Sequence, residues 1–204
     1  MKSIFVLAIL ASGALAQFDQ SSKPFRLFLK SDNATLDGQT LGACHQGAAI
    51  EGLCPSGNTH ANNSTSYDTF YQQTQAEPTV PGADGDPYGP IVWNLTVNGG
   101  DIVPSYLQFS YDFLSDVSNP TFFPGNESYT SVSFTSAGCM YLARYLDDTV
   151  TPPQRLDTPQ KVENWYICLT RWSYLYYTLN WKIGVEGVPQ NPTCQKVTVY
   201  REFV

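Results

Sequence analysis

Residues 41–54, LGACHQGAAIEGLC, hold His45, one of two histidines, and Cys44 and Cys54, two of five cysteines. Three chemistries use such residues: a cysteine nucleophile with a histidine base, a metal site, and a disulfide closing a loop. Cys44 and His45 are adjacent, and neighbours in a strand point to opposite faces. They cannot easily share one metal ion or one reacting proton. A structural zinc needs four convergent ligands, and only Cys54 and His60 stand nearby. The expectation is therefore a Cys44–Cys54 disulfide across a two-strand corner, with Gly42, Gly47 and Gly52 supplying the bends. Closing so small a ring contributes about 3 kcal/mol in the loop-entropy account. No catalytic residue, metal ligand or cofactor site is assigned.

Other motifs are sparse. There is no Gly-x-Ser-x-Gly elbow, no HExxH and no phosphate loop. Asp84-Gly85-Asp86 has the start of a calcium loop without its downstream glutamate, and Pro87 and Gly89 mark a turn. Asp147 and Asp148 are adjacent, whereas glycoside hydrolysis needs two carboxylates facing each other across a cleft. They read as a solvated loop. A carboxylate pair assembled from distant positions stays open.

Residues 165–181, WYICLTRWSYLYYTLNW, carry seven aromatic side chains. Alternation puts Leu175, Tyr177, Leu179, Trp181 and Ile183 on an apolar face, and Tyr174, Tyr176, Thr178 and Asn180 on the other. Core packing and cross-strand pairing account for most such aromatics. Trp172, Tyr174 and Tyr176 are nevertheless the candidate ligand-binding residues, because exposed rings stack on sugars.

The elements that must position these residues are strands. Phe25, Leu27 and Leu29 alternate, as do Leu107, Phe109, Tyr111 and Phe113. Ile91, Trp93, Leu95 and Val97 form one face of a run whose other face holds Val92, Asn94 and Thr96. Val132 with Phe134, and Val197 and Val199 with Phe203, complete the set. Gly, Pro, Asn and Asp clusters separate the runs. The fold class is all-β, an antiparallel β-sandwich or barrel-like single domain over residues 17–204, with at most one or two short helices. One helix is expected at residues 158–165, where Thr158 can cap and Pro159 can sit in the first turn. A long loop is expected at about 55–90, with a short strand inside YDTFYQQT.

The start of the chain has Lys2, an apolar run from Ile4 to Ala11, and Ala14-Leu15-Ala16. This is the pattern of a signal peptide over residues 1–16. The apolar run is shorter than the roughly 20 residues needed to span a bilayer. Removing Lys2 with the leader leaves ten basic against eighteen acidic residues, a formal charge of −8. With no basic run, the chain is expected to bind nucleic acid poorly and to be repelled by anionic lipid surfaces, and neither a nucleic-acid partner nor membrane insertion is expected. Five Asn-x-Ser/Thr sites, at Asn33, Asn62, Asn63, Asn94 and Asn126, fit a secretory route. Glycans are expected at Asn94, on an outward face, and at one of the overlapping Asn62 and Asn63. In an oxidising compartment the cysteines should pair. The second expected bridge is Cys168–Cys194, leaving Cys139 free and buried in AGCMYLARY.

FRLFLKSDNATLDGQTLGACHQGAAIEGLC, WYICLTRW with TLNW, and PQNPTCQKVTVYREFV together resemble a family of small secreted fungal proteins of unknown function, over most of residues 25–204. The chain also resembles fungal cell-wall and surface sandwich proteins at the level of fold. Neither resemblance implies an activity or a catalytic residue. Two function classes follow. The first is a non-catalytic secreted or cell-wall protein, carbohydrate-binding or effector-like, with cell-wall or host glycans as partners. The second is a secreted glycan-active hydrolase. For the leader, mass spectrometry of the secreted protein should find Gln17 as the first residue; an intact Met1 would contradict it.

Overall fold

The computed structural model describes residues 18–57, 63–76 and 82–204. The expected leader, His60 and Asn62 lie outside the described residues. Fifteen strands follow in chain order: β1 (Gln20–Ser21), β2 (Phe25–Lys30), β3 (Thr40–Gly47), β4 (Ile50–Pro55), β5 (Phe70–Thr74), β6 (Tyr88–Val97), β7 (Asp101–Tyr111), β8 (Val117–Pro124), β9 (Ser131–Phe134), β10 (Met140–Asp147), β11 (Gln154–Val162), β12 (Trp165–Arg171), β13 (Leu175–Lys182), β14 (Gln195–Lys196) and β15 (Thr198–Phe203). Two short 3-10 turns, Ser66–Asp68 and Ala83–Gly85, accompany them.

Seven strands close an antiparallel barrel in the order β2–β3–β4–β8–β7–β6–β5. Of the two all-β forms expected, the sheet takes the barrel. β5 returns to β2 through the single pair Phe25 and Phe70. Period-two alternation fills the interior, with Phe25, Leu27 and Leu29 of β2 meeting Phe70, Ile91, Leu107 and Phe122 in one cluster. Phe70 stacks on Phe122 at 5.6 Å and 12°. Outer strands branch from this barrel. β15 runs along β2, β9 along β6, and β10 and β11 follow β9. β13 adds to β8, and β12 and β14 follow it. The core extends into this layer, where Trp165 and Trp181 meet edge to face at 4.8 Å and Trp165 Nε1 donates to Met140 O.

Strand β8 was not legible in the sequence, because Asn119, Pro120 and Pro124 read as turn chemistry. Its second neighbour changes along its length. Val117 and Ser118 pair with β13, whereas Thr121 and Phe122 pair with β4. Pro120, which has no N–H to give a ladder, stands between these two pairings. Gly89 of β6 is fixed by close approach: a Cβ there would lie 1.8 Å from Gln73 O.

Two expectations change. Residues 158–165 are not a helix: Thr158 and Pro159 belong to β11, and Trp165 starts β12. Pairing with β10 overrides the local capping signal, and Pro159 falls where the register shifts between Arg144 and Leu146. The short strand expected inside YDTFYQQT is β5, a stave of the barrel. The apolar face of β13 is only partly buried: Leu179 and Trp181 lie in the core, but Leu175, Tyr177 and Ile183 are exposed. Tyr111 and Phe203, at the ends of β7 and β15, and Phe113, in the turn after β7, are likewise exposed.

Beside the closing pair lies a buried ion pair. Arg26 Nη2 is 3.0 Å from Asp68 Oδ2, with side-chain exposures of 4% and 0%. Thr65 N and Oγ1 both donate to Asp68 Oδ1. Removing one charge of such a pair strands the other, at about 3–5 kcal/mol. Asp68→Asn should therefore lower the unfolding free energy by about that amount in chemical denaturation; a loss under about 1 kcal/mol would show that the pair does not hold the seam.

Candidate functional site

The site grows from the outer faces of β8 and β13. Trp181 pairs with Ser118 and Lys182 with Val117. Phe122, Leu179 and Trp181 point into the core, so alternation sends Asn119, Thr121, Thr178 and Asn180 to the other face. That face would ordinarily be wet, yet all four polar side chains are buried. Ser110 Oγ of β7 lies 2.9 Å from Thr121 Oγ1, and Thr170 Oγ1 of β12 lies 2.6 Å from Thr178 Oγ1. A cleft of about 460 Å³ opens beside them, between the β7–β8 loop and the β12–β13 hairpin. Ser110, Asn119, Thr170 and Asn180 line it, with Tyr111, Asp112, Arg171 and Trp172 also around it.

Among the described residues two amide oxygens in this lining have no hydrogen-bond partner. Asn180 Nδ2 donates to Thr178 O at 2.8 Å and Thr178 Oγ1 at 3.0 Å, which fixes the orientation of its amide. Among the described residues no protein group donates to Asn180 Oδ1 or Asn119 Oδ1. Their residues are 1% and 8% exposed. A buried acceptor left unbonded costs about 1–3 kcal/mol. Asn191, in contrast, is committed to structure: Nδ2 donates to Leu169 O, and Oδ1 accepts from Thr193 N and Oγ1.

Both oxygens are covered, so an outside hydroxyl or amide reaches them only as their side chains turn toward the cleft, while Trp172, exposed at the edge, offers an indole face. The lining carries one guanidinium, Arg171, and one carboxylate, Asp112, so it has no net formal charge. Asp112 Oδ1 accepts from Leu114 N at 2.7 Å.

Of the aromatic candidates, Trp172 lines the cleft, while Tyr174 and Tyr176 stand exposed beside it. Their centroids are 6.0 Å apart. Cys44 is bonded to Cys54 and Cys168 to Cys194, and Cys139 is free but half-buried rather than buried. His45, adjacent to the first bridge, has a partner that spacing did not reveal. It faces Glu51 across the hairpin, with Nδ1 and Oε1 3.1 Å apart, and its ring lies 5.6 Å from Tyr174. The turn between, Ala48-Ala49, has positive φ at both residues. Gly47 lets the β12–β13 hairpin approach, since a Cβ there would meet Ser173 Oγ at 3.0 Å.

The two aspartates of residues 84–86 hold a lysine. Lys161 Nζ lies 3.1 Å from Asp84 Oδ2 and 2.9 Å from Asp86 Oδ2. The hydrogen bonds to Asp86 and then Asp84 raise the Lys161 pKa above its ordinary value. Tyr141 OH donates to Asp86 at 2.7 Å; burial first, and then that bond, raises its pKa. Among the described residues no group of three or more His, Cys, Asp and Glu side chains converges as a metal site. Asp147 accepts from Thr149 N and Oγ1 and pairs with Arg144, and the Thr149 bonds lower its pKa. Asp148 next to it is exposed.

The sequon residues are spread over the surface. Asn63 and Asn126 are exposed, and Asn94 is half-buried. Asn33 Oδ1 accepts from Thr35 N and Oγ1, while its Nδ2 donates to Gln195.

Asn119 was missed because it precedes a proline in a run that reads as a turn. Asn180 lay on the polar face expected for β13, but nothing local marked that face as buried. The unpartnered oxygen yields a prediction. Asn119→Leu keeps the shape and removes a buried acceptor, so unfolding free energy should stay level or rise by about 1 kcal/mol. A loss above about 2 kcal/mol in chemical denaturation would assign Asn119 a structural role instead.

Residues 22–203 match the model of the DUF7907 domain, a domain of unknown function, which takes in every strand from β2 to β15 and all the cleft residues named above. No curated protein and no solved structure matches. The span of the match, nearly the whole described barrel with its outer strands, places the chain in the DUF7907 family.

Proposed function

We propose that the protein is a secreted, glycosylated, carbohydrate-binding protein of the small fungal type its sequence resembles, acting at cell-wall or host glycans. The observation that carries this reading is the pair of buried, unpartnered amide oxygens of Asn119 and Asn180 in a cleft edged by Trp172. Sugar hydroxyls are the donors these acceptors lack, and the apolar face of a pyranose suits an indole. The balance of Arg171 against Asp112 favours a neutral sugar over an acidic one. The two disulfides fit an oxidising compartment. Among the described residues no helix is long and apolar enough to cross a membrane. The hydrolase reading requires two carboxylates across a cleft, and this lining supplies one, Asp112.

Calorimetry with neutral gluco-, manno- and N-acetylglucosamine oligosaccharides, against oligogalacturonate as the acidic control, tests the proposal. Neutral sugars should bind, and Asn119→Leu and Trp172→Ala should each weaken binding by about tenfold or more. Absence of binding across the neutral series, or binding indifferent to both substitutions, would overturn it.

A further inference from the structure

The β12–β13 hairpin carries more exposed aromatic surface than the cleft uses. Between Arg171 and Leu175, which pair, the chain turns tightly, with Trp172 N donating to Tyr174 O at 3.2 Å. Trp172, Tyr174 and Tyr176 are 42%, 46% and 39% exposed. Thr170 pairs with Tyr176 and Cys168 with Thr178, so alternation sets Tyr176, Thr178 and Asn180 on one face of β13. Asn180 lines the cleft, and Tyr176 stands two pleats further along the same face. From there the rings continue: Tyr174 lies 6.0 Å from Tyr176 at 34°, and His45 lies 5.6 Å from Tyr174 at 44°. Glu51 holds His45 through Nδ1.

A core function does not explain this row, since these rings face solvent at the end of the sheet. A protein-docking surface would need no continuity with a polar cleft. This row starts on the cleft-lining face and leaves it as a sequence of separately tilted rings. We infer that Tyr176, Tyr174 and His45 form further subsites for a linear neutral oligosaccharide whose one end lies in the cleft, so that the ligand is a polysaccharide chain rather than a single sugar. This inference rests on the carbohydrate reading of the cleft. Each ring offers a face to a successive sugar unit, while Asn119 and Asn180 accept hydroxyls from the unit in the cleft. Tyrosine suits the role because its ring stacks at low conformational-entropy cost and its hydroxyl stays wet.

The test is a length series of linear gluco-, manno- and N-acetylglucosamine oligosaccharides, from one to six units, titrated by calorimetry against the full secreted chain. In the series that binds, the hexasaccharide should bind about tenfold tighter than the disaccharide. In the double variant Tyr174→Ala/Tyr176→Ala that ratio should fall to about one. Both side chains are exposed, so thermal unfolding should be nearly unchanged and serves as the folding control. A ratio near one in the unsubstituted protein, or a ratio unchanged in the double variant, would overturn the inference while leaving the cleft reading standing. Absence of binding at every length would overturn both. Sugar-independent self-association that the double variant abolishes would identify the row as a protein contact and also overturn it.

Discussion

Strand β8 has to serve the closed barrel and the outer strands at once, and the architecture follows from how it does so. Along one edge it pairs with β7 from Tyr106–Phe123 to Tyr111–Ser118. Along the other it hands over from β13 to β4. The barrel needs the β4 contact to close, and the outer layer needs the β13 contact to attach. Pro120 sits at the handover, where a missing N–H costs least. The side chains divide in the same way: Phe122 packs with Phe70 and Trp93 inside the barrel, while Asn119 faces the cleft.

This division explains how a site of unpaired polar atoms is held in place. Leu179 and Trp181 fix β13 from the core side, and Thr178 fixes the amide of Asn180. The two acceptors sit on strands rather than on loops, so their positions are set by ladder register and core packing. The free energy forgone at Asn119 and Asn180 is offset by the aromatic interior behind them. The hairpin that edges the cleft is stapled at mid-length by Cys168–Cys194, and its tip approaches the β3–β4 turn at Gly47.

The fold class was legible because apolar alternation is a local signal, strong in β2, β6, β9 and β15. Topology was less legible. β8 carries two prolines and a Ser-Asn pair, and its strand identity comes from neighbours distant in sequence. Residues 158–165 show the converse: Thr158 and Pro159 give a correct local capping signal that pairing with β10 outweighs. At the site, Trp172, Tyr174 and Tyr176 could be picked out by composition. Asn119 and Asn180 could not, since an asparagine is informative only once it is known to be buried without a donor. His45 was separated from Cys44 by strand geometry alone, but its partner Glu51 depends on a two-residue hairpin at Ala48-Ala49 that lacks the usual Asn-Gly signature.

In the proposed carbohydrate complex the amide oxygens of Asn119 and Asn180 receive hydroxyl donors from a neutral oligosaccharide. Side-chain amide resonances report this directly. In nitrogen-15-labelled protein titrated with neutral hexasaccharides of glucose, mannose and N-acetylglucosamine, the NH2 signals of Asn119 and Asn180 should shift together and saturate with one of the three. The Asn191 signal, whose amide is bonded within the protein, should move far less. Signals of Asn119 and Asn180 that stay fixed while shifts appear elsewhere, or that stay fixed throughout all three titrations, would contradict binding through these oxygens.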